Sequence, residues 1–352
     1  MKIAFSGSGI APFFPISPPP AGFQLPLRVF LFFFRLPLLL AICLIYFLVL
    51  QWLPIGSLGK KASLWCILGV PCLWWVDLQV DGVRRGDIKK ESVKDLSSWC
   101  RSLAKQQRAR LPNGGSIIAS SMTSPIDALY LAAIFDPIFT ASYPNHRSVE
   151  RLSLFQAILR PFSFPTITPP LNARMVDPAS LLERYPHRPV VMFPECTTTN
   201  GRAILPLSPS LVAVPPKTKI YPVSVRYTPA DVSTPIPRSY LSFLWNLLSK
   251  PTHCIRVRIA ECVIRGGVER HYASTQPAAR KQSMFEGDDA SVNLIDNGVV
   301  DDDPSGSLTS EEKALLDYIG DALARLGRVK RIGLSIQDKQ EFVRMWTKSQ
   351  RK

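Results

Sequence analysis

Histidine is scarce: the 352-residue chain has four, at 146, 187, 253 and 271. A lone histidine is more often a surface residue than a catalyst. The seven cysteines, at 43, 66, 72, 100, 196, 254 and 262, include no Cys-x-x-Cys pair, and no zinc-ligand spacing occurs. That pattern excludes a disulfide framework and fits reduced thiols facing the cytosol. Acidic residues are also short, 27 against 42 Lys+Arg, giving a formal charge of +15. Such an excess suits nucleic acid or an anionic membrane. No aromatic-studded basic motif is present, so nucleic acid is not expected as a partner. No cleavage-type signal peptide is expected, and no internal repeat is seen.

Charge itself is missing from Leu36 to Gly59, and this gap decides for the membrane. Its core, Leu36–Leu53, is 18 residues, the lower edge of a bilayer span. Val29–Phe34 extends it if Arg35 snorkels to the interface. A second apolar segment, Ala62–Val76, is shorter and broken by Pro71. It reads as a re-entrant or interfacial helix that completes a hairpin. Lys60, Lys61, Arg84, Arg85, Lys89, Lys90 and Lys94 follow this region, which places the rest of the chain in the cytosol.

The rest alternates strands and helices. Val76–Gly82, Ser116–Ser120, Ile138–Ala141, Pro189–Phe193 and Ile220–Val225 read as strands. Asp87–Arg110, Leu152–Leu159 and Leu181–Arg184 read as helical, and Ser124-Pro125 starts a helix running through Ile134. Ser239–Leu248 is an amphipathic helix expected on the bilayer. Ile255, Val257 and Ile259 alternate with Arg256 and Arg258, a strand with one polar face. Residues 275–307 are Ser/Asp/Gly-rich and are expected to be disordered. Thr309-x-x-Glu312 is a capping box opening a helix with Leu316, Ile319, Leu323 and Leu326 on one face. The tail from Arg328 to Lys352 is basic and fits an anionic membrane surface. The pattern implies an α/β fold with a largely parallel sheet flanked by helices.

Three stretches carry chemistry. Phe193-Pro194-Glu195-Cys196-Thr197-Thr198-Thr199-Asn200-Gly201-Arg202 leaves a buried strand and offers hydroxyls, backbone N–H groups and a guanidinium to an anion. Upstream lies Ser120-Ser121-Met122-Thr123-Ser124-Pro125-Ile126-Asp127; downstream lies Ile220-Tyr221-Pro222-Val223-Ser224-Val225. Taken in chain order they resemble the blocks of the PlsC-type glycerol-phosphate/lysophosphatidic acid acyltransferase family, over roughly Trp74 to Ile264. Gly9-Ile10-Ala11-Pro12-Phe13 and the basic tail resemble its fungal lysophosphatidate (oleoyl-CoA) branch.

The resemblance implies acyl transfer from acyl-CoA, a co-substrate rather than a cofactor, to lysophosphatidate or a related lysophospholipid. It implies a protein on the endoplasmic reticulum or lipid droplet, with membrane lipids as partners and no metal. It divides the chain into a flexible N-terminus (1–28), a membrane anchor (29–76), an acyltransferase-like domain (77–274), an acidic insert (275–307) and a C-terminal helix with basic tail (308–352). It carries Glu195, Cys196, Thr197, Thr198, Asn200, Gly201 and Arg202 over as acceptor-binding positions and Asp127 as the partner of the catalytic base.

Two departures stand out. Met122 occupies the position of the family's His, and a thioether exchanges no proton. Cys196 occupies that of a Gly, adding a side chain where φ > 0 and close approach are wanted. Without the His, Asp127 reads first as half of a helix-capping pair with Ser124. His146 is a candidate replacement base, and Arg160 and Arg174 are candidate phosphate contacts. A nucleophilic Cys196 has no neighbouring His in sequence. The alternatives are a catalytically impaired lipid-binding scaffold on the same fold, and a basic membrane-surface adaptor.

Overall fold

Short apolar runs become the centre of the sheet. In the computed structural model, residues 10–17, 22–51, 57–81, 110–266 and 308–350 are described. The helix expected over 87–110 (apart from Arg110) and the stretch 275–307 lie outside them. The strands are β1 (Trp75–Val80), β2 (Ile117–Ser120), β3 (Ile138–Ala141), β4 (Val149–Leu152), β5 (Met175–Val176), β6 (Val190–Met192), β7 (Ala203–Ile204), β8 (Lys219–Thr228), β9 (Cys254–Ile259), β10 (Val263–Ile264) and β11 (Lys330–Arg331). Among the described residues the main sheet runs β1-β9-β8-β2-β6-β3-β4-β5, with β10 beside β8. The pairs β8–β2, β2–β6, β6–β3 and β1–β9 are parallel. β8–β9, β3–β4, β4–β5 and β8–β10 are antiparallel.

β2, β3 and β6 are buried along their whole length, which is why they read as unbroken apolar runs rather than alternating ones. Their side chains divide between two cores. Ile118 and Val191 face one, with α2 (Ser57–Gly69), α3 (Pro125–Phe135) and α6 (Tyr240–Leu248). Ile117, Ala119, Val190 and Met192 face the other, with α5 (Pro178–Arg184) and α7 (Ser310–Gly327). The expected α/β fold is therefore present: the central strands β8, β2, β6 and β3 run parallel, and helices flank the sheet. β9 alternates as read: Ile255, Val257 and Ile259 are buried while Arg256 is exposed. Leu316, Ile319, Leu323 and Leu326 form the buried face of α7, which opens on the Thr309–Glu312 capping box. The strands β4, β5, β7, β10 and β11 escaped the reading, and only Leu154–Leu159 (α4) of the segment 152–159 is helical.

At the N-terminus, α1 (Leu25–Leu44) continues through a π-helical turn to Leu50. Gly22–Leu50 contains an 18-residue window of mean hydropathy 2.5 and is long and apolar enough to cross a membrane. The second apolar segment is not one helix. Cys72 takes φ 58° just after Pro71, α2 ends at Gly69, and Trp75 and Val76 already belong to β1. Leu64, Ile67 and Leu68 of α2 are buried against the domain. Residues 10–17, inside the stretch expected to be flexible, are packed: Phe13 is buried beside Phe342. The tail is also folded. Its helix α8 (Ile336–Gln350) buries Lys339, Phe342 and Val343 rather than lying free for a membrane.

Arg35 does not snorkel. It is buried, donating to the carbonyls of Leu248 (3.3 Å), Lys250 (2.5 Å) and Pro251 (3.1 Å) and to Cys72 Sγ (3.1 Å). The end of α6 offers carbonyls without intrahelical partners, and a guanidinium inside α1 satisfies them. Arg35→Leu should therefore cost about 2–4 kcal/mol by leaving those carbonyls unpaired and loosen α1 from α6. Thermal unfolding in detergent, with limited proteolysis between α1 and α2, would register this; an unchanged profile would count against the clamp.

Candidate active site

β2 and β6 are parallel neighbours at the middle of the sheet, so the loops after them leave at the same edge. In open α/β sheets the carboxyl ends of such strands are where ligands bind. The first loop carries Met122 and the second the Glu195–Arg202 stretch. They are tied by Thr199 N–H donating to Met122 O (3.1 Å).

A cleft of about 820 Å³ opens here. Met122, Cys196, Thr197 and Thr198 line one wall; Tyr143, Glu150 and Arg160 line another; residues 163–171 and Gln340 of α8 complete it. Tyr143 Oη donates to Glu150 Oε2 at 2.6 Å, and Arg160 lies 3.7 Å from the same oxygen. Arg160 also sits over the Tyr143 ring, 5.2 Å from its centroid. Both of these contacts fall on Glu150 Oε2 and neither on Oε1. Burial, then the bond to Glu150, pushes the Tyr143 phenol up, so it is a donor here rather than a base. None of the described histidines lines the cleft. His146 lies against the Tyr143 ring, 6.3 Å between centroids, and His253 is buried with Nε2 on Leu247 O. Arg174 is not a lining residue either.

Asp127 is fully buried at the start of α3 and forms the capping box with Ser124. Its Oδ2 accepts from Thr123 N (2.6 Å), Thr123 Oγ1 (3.1 Å) and Ser124 N (2.9 Å), and its Oδ1 accepts from Tyr227 Oη. Burial raises its carboxyl to about 6, with these hydrogen bonds pulling the other way. A histidine installed at 122 would meet an aspartate whose two oxygens are already engaged.

Cys196 adopts φ 56°, the left-handed region that a Gly would enter freely. Burial pushes its thiol up to about 12, so it is no thiolate nucleophile. Gly201, at φ 73°, is the position in this loop where glycine's freedom is used.

The remaining motif residues scatter. Glu195 does not line the large cleft. It lines a pocket of about 230 Å³ with Ser208 and Ile336. Its Oε2 accepts from Leu205 N (3.1 Å), and its Oε1 is buried without a hydrogen-bond partner among the described residues. Burial raises this carboxyl to about 8. Nearby Lys339 is buried on α8 and lowered to about 7 by burial. Its Nζ donates to Thr198 O (2.5 Å) and Thr198 Oγ1 (2.6 Å). Asn200 spends its amide on the carbonyls of Ala11 (2.8 Å) and Phe14 (2.9 Å), and its Oδ1 accepts from Arg202 N (3.0 Å). Asn200, Gly201 and the exposed Arg202 line a separate cavity of about 500 Å³ with Thr123 and Arg226. The cation of the large cleft is thus Arg160.

Sequence reading missed Tyr143, Glu150, Arg226 and Lys339. Glu150 had no signal, since its strand was unrecognised. Lys339 had a weak one: it shares a helical stripe with Ile336, Phe342 and Val343, a spacing that marks a buried face.

The chain is 26% identical over 263 residues, 72% of its length and 81% of the relative's, to a Schizosaccharomyces pombe protein named "Putative lysophosphatidic acid:oleoyl-CoA acyltransferase". This likeness supports acyltransferase activity. No family model matches the chain, and no solved structure does. Among the described residues no group of three or more His, Cys, Asp or Glu could hold a metal ion.

Proposed function

We propose that the protein is a membrane-associated acyltransferase moving an acyl chain from acyl-CoA to lysophosphatidate or a related lysophospholipid. The observation that carries this reading is the large cleft: two of the motif loops, from adjacent parallel strands, meet in it beside Arg160 and Glu150. The relative's name supports the same substrates. The apolar Gly22–Leu50 helix supports a membrane site, which we take to be the endoplasmic reticulum or lipid droplet with the domain cytosolic. Acyl-CoA serves as co-substrate, and no cofactor is required.

In this reading the acceptor's hydroxyl oxygen attacks the thioester carbonyl. The C–O bond forms, the C–S bond breaks, and CoA leaves as the thiol. Met122 takes no part in proton transfer. Glu150 Oε1 accepts the hydroxyl proton and returns it to the departing sulfur. Arg160 holds the acceptor phosphate, and in doing so leaves Glu150 without its cationic neighbour. Thr197 and Thr198 offer hydroxyls on the opposite wall.

Purified full-length protein, radiolabelled acyl-CoA and a lysophospholipid panel test the reading. Label should pass to lysophosphatidate and much less to monoacylglycerol, which has no phosphate for Arg160. Retained lipid and CoA binding without transfer to any acceptor would favour the scaffold alternative.

A further inference from the structure

The cavity of about 500 Å³ on the far side of the Met122–Thr123 turn has no place in the chemistry above. The two residues of that turn divide: Met122 lines the large cleft and Thr123 the second cavity. Arg202 and Arg226 line the second cavity, and no carboxylate is among its lining residues within the described part of the chain. Arg226 donates to Gly201 O at 2.7 Å, which fixes it to the motif loop. The guanidinium of Arg202 has no ion-pair or hydrogen-bond partner among the described residues. Ser233 Oγ, on the same lining, is shielded from solvent and lacks a hydrogen-bond partner among the described residues.

The surrounding sheet concentrates the charge. Arg226 of β8 lies directly opposite Arg256 of β9, and Arg258 is the next residue on that face. Like charges directly across a strand pair are destabilising. Arg256 is compensated by Asp77 at 3.1 Å. Arg258 Nη1 donates to the carbonyl of Leu326 at 2.9 Å, and its Nε is buried without a partner among the described residues. Burial, then Arg258, Arg256 and Arg328, lowers the Arg226 guanidinium below its ordinary value. A fold that holds uncompensated arginines around a cavity gains when an anion enters it.

We propose that this second cavity is a phosphoryl-binding site, and that the phosphate it takes belongs to the nucleotide end of CoA. Arg202 and Arg226 supply charge-assisted donors and Ser233 a hydroxyl. The choice of CoA rests on the acyltransferase reading. A transfer between two phosphorylated molecules needs two anion sites flanking one reaction centre. The structure has two, back to back across Met122–Thr123, and Arg160 already serves one of them. The phosphoryl site itself does not depend on that reading.

The test is equilibrium binding to full-length protein in detergent, with CoA, short-chain lysophosphatidate and inorganic phosphate as probes. Arg226→Ala and Arg202→Ala should each weaken CoA at least about tenfold. Arg226→Lys should weaken it less, because the charge remains while the paired donors are lost. Arg325→Ala, an exposed arginine outside the cavity, should leave CoA affinity within about twofold, which separates a built site from general attraction. Circular dichroism checks that each variant is folded, and Arg226→Lys keeps the test open should Arg226→Ala misfold. Loss of lysophosphatidate binding with CoA unchanged would overturn the CoA assignment while keeping the phosphoryl site. Inorganic phosphate that competes with neither ligand, together with wild-type affinities in the cavity variants, would overturn the site. Normal CoA binding without acyl transfer would instead count against the proposed function.

Discussion

Glu150→Gln should lower kcat for acyl transfer by about 10²–10⁴-fold, the usual contribution of a general base. Among the described residues Glu150 is the one carboxylate lining the large cleft, and Gln keeps its size while removing the proton acceptor. The Tyr143 hydroxyl can still donate to the Gln oxygen, so the wall should stay in place. A base that acts only on the reacting hydroxyl should leave KM for the lysophospholipid nearly unchanged, and a collapsed wall would raise it. His146→Ala is the matched comparison. Because His146 does not line the cleft, it should change kcat by less than about threefold, well below the general-base range. The reverse pattern, with His146→Ala inactive and Glu150→Gln active, would transfer the proton step to the histidine. No change in either would mean that positioning alone, which can supply about 7–11 kcal/mol, drives a reaction whose thioester is already activated.

Glu195→Gln should make the protein more stable, and only at high pH. The folded chain holds this carboxyl at about 8 against an ordinary 4.5, because it is buried with one oxygen unpartnered. Folding therefore favours the protonated form. That contribution is fully present below pH 4.5 and is lost as pH rises through about 8. Gln is neutral throughout and suffers no such loss. The variant should match the natural chain near pH 4.5 and exceed it above pH 8 by on the order of 2–4 kcal/mol. Lys339 runs the other way, since its folded value of about 7 lies below the ordinary 10.5. Its cost is greatest below pH 7 and fades toward 10.5, so the pair makes the natural chain weakest near neutral pH. Thermal unfolding across this range reads the effect. An equal difference at both ends of the range would mean that Glu195 is not titrating as its burial demands. A collapse of stability at every pH would mean that Glu195 is charged and paired with Lys339.

Much of the fold was legible because it rests on local rules. Ile117-Ile118-Ala119 and Val190-Val191-Met192 had to be buried strands. The Ser124–Asp127 and Thr309–Glu312 boxes had to open helices. Both boxes form as read. The reading of Asp127 as a cap also matches its place, with every contact spent on the start of α3 and on Tyr227. Arg35 was misread because an arginine in an apolar run looks the same whether it reaches the interface or a neighbouring helix end. Only the approach of α6 tells the two apart. α2 was misread because Pro71 marks a break without saying that a strand follows.

The site was less legible, and the reason is distance along the chain. The contiguous stretch Glu195–Arg202 suggested one ligand site. A loop that turns through φ 56° at Cys196 and 73° at Gly201 aims successive side chains at different cavities. Thr197 and Thr198 therefore face the large cleft, Glu195 a small pocket under α8, and Arg202 the second cavity. By itself the sequence determined the strands, the caps, the apolar N-terminal helix and the absence of an imidazole at position 122. Those depend on residue type and on neighbours a few positions away. Only the tertiary structure decided that Glu150 and Arg160 meet Met122, that Lys339 lies under Thr198, and that arginines of β8 and β9 crowd behind the motif loop. Those contacts join segments tens to hundreds of residues apart, and burial and charge there are set by what packs across the gap.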